Sequence, residues 1–213
     1  MAGKNPHVNQ FQKPTGQAGR ALLARMNRFH SKLTDWGLAR VSIEKHYAIL
    51  DVGCGGGRTV SKLAAIATEG KVWGVDYSEE SVAATERTNA RRIKAGGVEV
   101  RQASVSQLPF AQNTFDLVTA VETHYFWPDP YKDLQEIFRV LKAGGTFLLI
   151  AEVYKTANTT SAELVEKYAD LAGMTVLTPD EHRVSLVNAG FSDVVVAEET
   201  NNGWISVIGK KPR

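Results

Sequence analysis

The chain has a single cysteine, Cys54, among 213 residues. A lone thiol excludes a disulfide within the chain and a zinc site built from paired cysteines, and it suits a reducing compartment. Long apolar runs are also missing. Phe147–Ala151 is as long as any, whereas a membrane-crossing helix needs about 20 apolar residues. Residues 1–30 carry Lys4, Lys13, Arg20, Arg25 and Arg28 but no apolar core of leader length, so no secretory signal is expected and the cytoplasm is the expected location. Repeats and low-complexity tracts are absent. Net charge is only +2, yet residues 1–48 sum to +6 and the remainder to −4, which marks the start of the chain as a separate, basic piece. Such a patch attracts nucleic acid, anionic lipid or an acidic small molecule, and it equally serves as a solvated helix face.

The composition is that of a folded protein, with 43% apolar and 23% charged residues. Residues 1–46 read as a helical extension, a lid, and residues 47–213 as one domain of alternating strands and helices. Ala48–Val52 is a short apolar run ended by glycines, the pattern of a buried parallel strand. The pattern predicts further strands over Lys71–Asp76, Val98–Gln102, Phe115–Val121 and Thr146–Glu152. Helices are predicted over Thr59–Ala67, over Glu79–Lys94, and from Asp129-Pro130 to a stop at Lys142–Gly145. Thr160 with Glu163, and Thr178 with Glu181, have capping-box spacing. Val194–Glu198 and Trp204–Lys210 flank Asn201-Asn202-Gly203, a hairpin turn signal. The expected fold is therefore α/β and doubly wound (Rossmann-like), a seven-stranded, mostly parallel sheet with a C-terminal antiparallel hairpin and helices on both faces. Ligands of such sheets bind beyond the carboxyl ends of the strands.

Directly after the first strand comes Asp51-Val52-Gly53-Cys54-Gly55-Gly56-Gly57-Arg58, a turn whose glycines let backbone approach a ligand. Dinucleotide enzymes also place glycines here, but their third glycine falls on Arg58. Asp76 ends the second strand, where a carboxylate accepts hydrogen bonds from ribose hydroxyls or caps the helix that follows. Cys54 in the tight turn is read as a small side chain and not as a nucleophile, since no base partner is evident.

The spacing Asp51-x-Gly53-x-Gly55-x-Gly57 resembles motif I of the class I S-adenosylmethionine-dependent methyltransferases, of the small-molecule, methyltransferase-11-like type. Ser104 to Phe110, with Leu108-Pro109-Phe110, followed by Phe115-Asp116, resembles a second segment of that family. Leu141-Lys142-Ala143-Gly144-Gly145 resembles the turn before its fifth strand. The resemblance implies S-adenosylmethionine as cofactor, with Asp51, Gly53, Cys54, Gly55, Gly57, Asp76, Tyr77, Ser104, Val105 and Glu122 around it. Ser104 stands where the family carries an adenine-contacting Asp, so that contact lacks charge assistance.

The strand-end rule places Glu122-Thr123-His124-Tyr125-Phe126-Trp127-Pro128 at the cleft. His124 is the candidate general base and Tyr125 a hydrogen-bonding partner of the acceptor. Phe11, Phe29, His30 and Trp127 are candidates for lid and substrate contacts, and simple core packing explains each of the aromatics as well. No metal ligand set is expected. The function implied is methyl transfer to a small-molecule acceptor. The alternatives are a nucleic-acid methyltransferase, disfavoured because the chain lacks an Asn/Asp-Pro-Pro-Tyr/Phe tetrapeptide after the fourth strand, and a protein that binds the cofactor without transferring methyl. Neither a membrane partner nor an oligomeric state is implied.

Overall fold

The computed structural model describes residues 9–155, 169 and 173–213. Three helices come first: α1 (Asn9–Gln12), α2 (Gly16–Phe29) and α3 (Ser31–Leu38). Then follow β1 (Ala48–Val52), α4 (Arg58–Ile66), β2 (Lys71–Asp76), α5 (Glu79–Lys94), β3 (Val98–Gln102) and β4 (Phe115–Val121). A 3-10 turn at His124–Phe126 leads to α6 (Pro130–Val140) and β5 (Leu141–Ala151). The chain continues with α7 (Pro179–Asn188), β6 (Ser192–Glu199) and β7 (Trp204–Lys210). The capping box expected at Thr160 and Glu163 lies outside the described residues.

The seven strands form one sheet in the order β3-β2-β1-β4-β5-β7-β6. The first five pair in parallel, and β7 inserts antiparallel between β5 and β6. This is the doubly wound sheet with a terminal hairpin that the alternation of patterns implies. Strand order reverses between β1 and β4, with later strands added outward on either side, so the carboxyl ends of β1, β2 and β4 open a crevice there.

Successive strand residues face opposite sides, and here both sides are apolar. Leu50, Phe147 and Leu149 join α6 and α7 in one core. Ile49, Leu148 and Ile150 join α3 and α4 in the other. Fully burying each such side chain contributes about 1.5–3 kcal/mol. Leu33 and Leu38 of α3 belong to this second core, so the last part of the N-terminal segment is welded to the sheet while α1 and α2 stand over the strand ends.

Local chemistry sets the helix starts. Ser78 caps α5, Asp129 caps α6 with Pro130 in its first turn, and Thr178 and Glu181 form a reciprocal capping box on α7. The largest boundary difference from the sequence reading is at β5, while α4 and the strand before the hairpin turn shift by one or two residues. Phe115 of β4 already pairs with Leu141, and the register then shifts so that Leu117 pairs with Thr146. The Lys142–Gly145 turn is thus an irregularity within β5, with Gly144 at φ 78°, and not a loop before it.

Candidate active site

The glycine turn after β1 folds onto itself before it meets any ligand. Gly53 and Cys54 both donate their N–H to the Val75 carbonyl, at 2.8 and 3.0 Å, and Gly57 donates to Cys54. Gly55 donates to Asp76 Oδ2 at 3.0 Å. The loop amides named are therefore consumed internally, and the turn offers a cofactor its Cα surface. Gly55 has φ 51°, and a Cβ added there would meet no more than ordinary contacts, with Leu23 Cδ2 at 3.7 Å and the Gly53 carbonyl at 3.9 Å. Gly55 borders a cavity of about 200 Å³ at the strand ends.

Asp76, at the end of β2, is only 8% exposed and projects into this cavity. Its Oδ1 accepts from Ser78 N at 2.9 Å and its Oδ2 from Gly55 N. Each oxygen keeps a lone pair for a hydroxyl donor. Burial raises the Asp76 pKa, and these N–H bonds oppose the rise. Tyr77 also lines the cavity, as do Ser104 and Val105. A carboxylate, a glycine cradle and a hydroxyl at one edge fit a ribose, a methionine chain and an adenine in that order.

The N-terminal segment closes the cavity from above. Tyr77 donates its hydroxyl to the Gln12 carbonyl at 2.5 Å, Ser78 donates to Pro14 at 2.7 Å, and Asn27 donates to Gly56 at 2.9 Å. Phe11 and His30 face the cavity, whereas Phe29 stands 70% exposed outside it, its ring edge against His30.

The other expected site residues divide. Gly53, Cys54 and Glu122 line the cavity, and Trp127 borders it. Cys54 is buried, and burial, with Asp76 beside it, raises its thiol pKa well above the usual value, so it is no nucleophile. Asp51 lies beneath the floor: it accepts from the Thr119 hydroxyl at 2.7 Å, and burial pushes its carboxyl to about 7. Gly57 serves the contact of α4 with α5 and does not border the cavity.

His124 and Tyr125 are also corrected. The 3-10 turn carries both side chains away from the cleft into the core. His124 lines a separate small pocket with His182, ring centres 5.0 Å apart, and neither His124 nitrogen has a hydrogen-bond partner among the described residues. Burial, then His182, drives the His124 pKa well down. The Tyr125 hydroxyl is buried and likewise without a partner among these residues; burial, then the Glu122 charge, raises it. Neither residue is placed to serve an acceptor.

The histidine pair makes a stability prediction. Burial depresses the His182 pKa to about 4. A histidine depressed in the folded state favours the fold while neutral, and that contribution is lost as pH falls below its unfolded pKa near 6.5. From pH 7.5 to 5, the wild type is expected to lose about 2 kcal/mol through His182. His182→Leu removes that share of the loss, so urea melts of the two proteins at both pH values should differ by this amount. An identical pH dependence in both would show that His182 titrates normally.

What the cleft does contain at its far end is a group of titratable residues that sequence reading left scattered. Glu122 follows β4, Glu152 follows β5, and His30 joins α2 to α3. His30 Nε2 lies 3.3 Å from Glu152 Oε1 and 3.9 Å from Glu122 Oε2. Burial pushes the Glu122 carboxyl to about 7, against the opposing charge of His30. Burial also works against the His30 cation, but the contacts with Glu152 and Glu122 outweigh it and raise the pKa. Glu152 was missed by sequence reading, although it ends a strand just as Asp76 and Glu122 do.

Comparison with known proteins agrees with this geometry. The methyltransferase-domain family matches residues 50–149. An O-methyltransferase, cnsE, of Penicillium expansum is 27% identical over 95% of this chain and 70% of its own length. A demethylmenaquinone methyltransferase of Shouchella clausii is 29% identical over 82% of this chain and 83% of its own. In eight such relatives the shared region spans between 38% and 83% of their own lengths. The solved structure of an S-adenosylmethionine-dependent methyltransferase from Aquifex aeolicus superposes with a TM-score of 0.72 at 21% identity, covering 90% of this chain and 97% of that one. The matched segment runs from Leu50 in β1 to Leu149 in β5 on a sheet of this strand order, so the chain carries a methyltransferase domain over residues 50–149 and is similar along most of its length to S-adenosylmethionine-dependent methyltransferases.

Proposed function

We propose that this enzyme methylates a small-molecule acceptor bound between α2 and the loop after β4, with the cofactor lying along the ends of β1 and β2. The observation that carries the reading is Asp76: a nearly buried carboxylate, held by two backbone N–H groups, with its remaining lone pairs in the cavity beside the open Gly55 turn. When bound, S-adenosylmethionine supplies a methyl group on a positively charged sulfur, already activated for displacement by a nucleophile.

The chain's own residues then bind and align. Asp76 accepts the ribose hydroxyls, Ser104 meets the adenine edge, and Gly53 to Gly55 pass the methionine chain toward Glu122. The Ser104 hydroxyl accepts from Ser106 N at 3.2 Å and so keeps its proton to donate. Phe11, Phe126 and Trp127 form an apolar wall on the acceptor side, which excludes water and holds the acceptor in line. Such alignment is worth up to about 7–11 kcal/mol. Within the N-terminal extension of residues 1–46, α1 and α2 act as a lid, latched through Asn27, Pro14 and Gln12, over a transferase domain of residues 47–213.

Relatives named as a demethylmenaquinone methyltransferase, a 27-O-demethylrifamycin SV methyltransferase and fungal O-methyltransferases support a small organic acceptor. No helix among the described residues is long and apolar enough to cross a membrane, and the lone Cys54 supports a cytoplasmic enzyme. Nucleic acid is not the proposed partner.

Calorimetry with S-adenosylhomocysteine and with NAD tests the cofactor, and transfer of labelled methyl to a panel of quinols, phenols and small amines tests the reaction. Binding of S-adenosylhomocysteine without NAD is expected. Binding of NAD alone would sink the reading, and methylation of RNA with no small acceptor used would overturn the acceptor class.

A further inference from the structure

Parallel pairing of β4 with β5 brings two carboxylates together. Val121 is in register with Ile150, so Glu122, one residue past Val121, and Glu152, two residues past Ile150, emerge close together at the strand ends. Glu122 N donates to the Ile150 carbonyl at 3.0 Å, and Glu152 N donates to Glu122 Oε1 at 2.6 Å. His30 reaches the same point from the α2–α3 junction. One donor atom from each of the three lies within 4.8 Å of the other two. Their positions, 30, 122 and 152, share no sequence spacing, which is why no metal set is legible before the chain folds.

Two features of this group call for a cation. The first is charge: two carboxylates face one imidazole, and neither carboxylate pairs with a lysine or arginine among the described residues. The second is the burial of these donors. The Glu122 side chain is 8% exposed and that of His30 17%, and Glu122 Oε2 stands 3.9 Å from His30 Nε2, too far for a hydrogen bond and close enough to share an ion. The distances suit one ion. Nitrogen and oxygen donors held about 2.0–2.2 Å from a metal stand about 3.0–4.2 Å apart. The separations of His30 Nε2 from the two carboxylates, 3.3 and 3.9 Å, fall in that range.

We propose that His30, Glu122 and Glu152 form a divalent metal site at the acceptor end of the cleft. One imidazole and two carboxylates suit Mn²⁺, Fe²⁺, Co²⁺ or Zn²⁺ better than the all-oxygen cages of Ca²⁺. Three protein ligands leave coordination positions open, and His30 and Glu122 both border the cavity, so the open positions face the acceptor. An acceptor oxygen bound there is polarised and its proton made easier to lose. This role rests on the methyltransferase reading, whereas occupancy by the ion does not.

The experiment is a titration of chelator-treated protein with Mn²⁺, followed by the spin resonance signal of the free ion, and repeated with Co²⁺ read by visible absorption. One site per chain is expected. Glu152→Gln and His30→Ala are each expected to weaken Mn²⁺ at least about tenfold, and the exposed Glu44→Gln to leave it unchanged. Circular dichroism establishes that the variants fold. Glu152→Asp, which keeps the charge but withdraws the oxygen, is a second variant and is also expected to weaken the ion. No saturable Mn²⁺ or Co²⁺ site in the wild type overturns the proposal. So does equal affinity in the wild type, Glu152→Gln and His30→Ala. S-adenosylhomocysteine binding to the metal-free protein is measured separately, and its absence would sink the functional reading without touching the metal result.

Discussion

Gly57→Ala is expected to lower folding stability by about 2–5 kcal/mol, more than twice the loss from Gly96→Ala. Both glycines have left-handed backbone, φ 81° at Gly57 and 82° at Gly96. An L-residue in that conformation costs about 1–2 kcal/mol. The loss of unfolded-chain entropy offsets both variants equally. The surroundings differ. A Cβ at Gly96 meets nothing within 4 Å, whereas at Gly57 it would stand 2.7 Å from Thr85 Cα and 2.8 Å from Asn89 Nδ2. Thr85 and Asn89 are fully buried residues of α5, and Asn89 donates to the Gly57 carbonyl at 3.0 Å, so the helix must move bodily. Forcing such a shift adds about 1–3 kcal/mol. For a chain of this size the total corresponds to a fall in Tm of about 4–20 °C. Parallel thermal and urea melts of the two variants decide it, and equal losses would show that the α4–α5 contact does not depend on the missing side chain.

The same glycine shows how the sequence can single out a position for the wrong reason. Gly57 stands out as part of a ligand-binding turn, but its structural duty is helix packing, and no spacing rule separates the two. Strand limits were legible where a buried parallel strand reads as an apolar run closed by a glycine or an acid: Ala48–Val52, Lys71–Asp76 and Phe115–Val121 are found where expected. The start of β5 was not, because Leu141 pairs with Phe115 across a glycine irregularity that in sequence looks like a loop.

Within the site, the cofactor half is local. Asp76 ends β2, and Gly53 and Gly55 follow β1 by one and three residues, so chain order alone places them at the crevice. The acceptor half is not local. His124 lies two residues beyond Glu122, and a 3-10 turn is enough to carry it into the core on the side of His182. His30 and Glu152 meet Glu122 only through the docking of α2 and the pairing of β4 with β5. Asn27, which ties the lid to Gly56, carries no signal in sequence at all.

Asp76→Ala is expected to weaken S-adenosylhomocysteine binding about tenfold to 150-fold, the equivalent of the roughly 1.5–3 kcal/mol carried by charge-assisted hydrogen bonds. The carboxylate also holds the turn, since Oδ2 accepts from Gly55 and Oδ1 from Ser78. Alanine therefore strips two N–H groups of their acceptor and lowers the melting temperature of the free protein as well. Asp76→Asn separates the two duties. Its single amide oxygen can serve one N–H but carries no charge, so it should keep more stability than alanine while still losing most of the affinity. A pH series supplies an independent reading. Burial raises the folded pKa of Asp76, and the ionised form is the acceptor for ribose, so affinity should fall on acidification at a higher pH than an ordinary carboxylate requires. The fall should be absent in Asp76→Asn, which has no proton to take up. Calorimetry on the folded variants gives the affinities, and melts without ligand give the stability. Affinity within threefold of wild type in folded Asp76→Ala would reduce Asp76 to a brace for the glycine turn and leave the ribose to another partner.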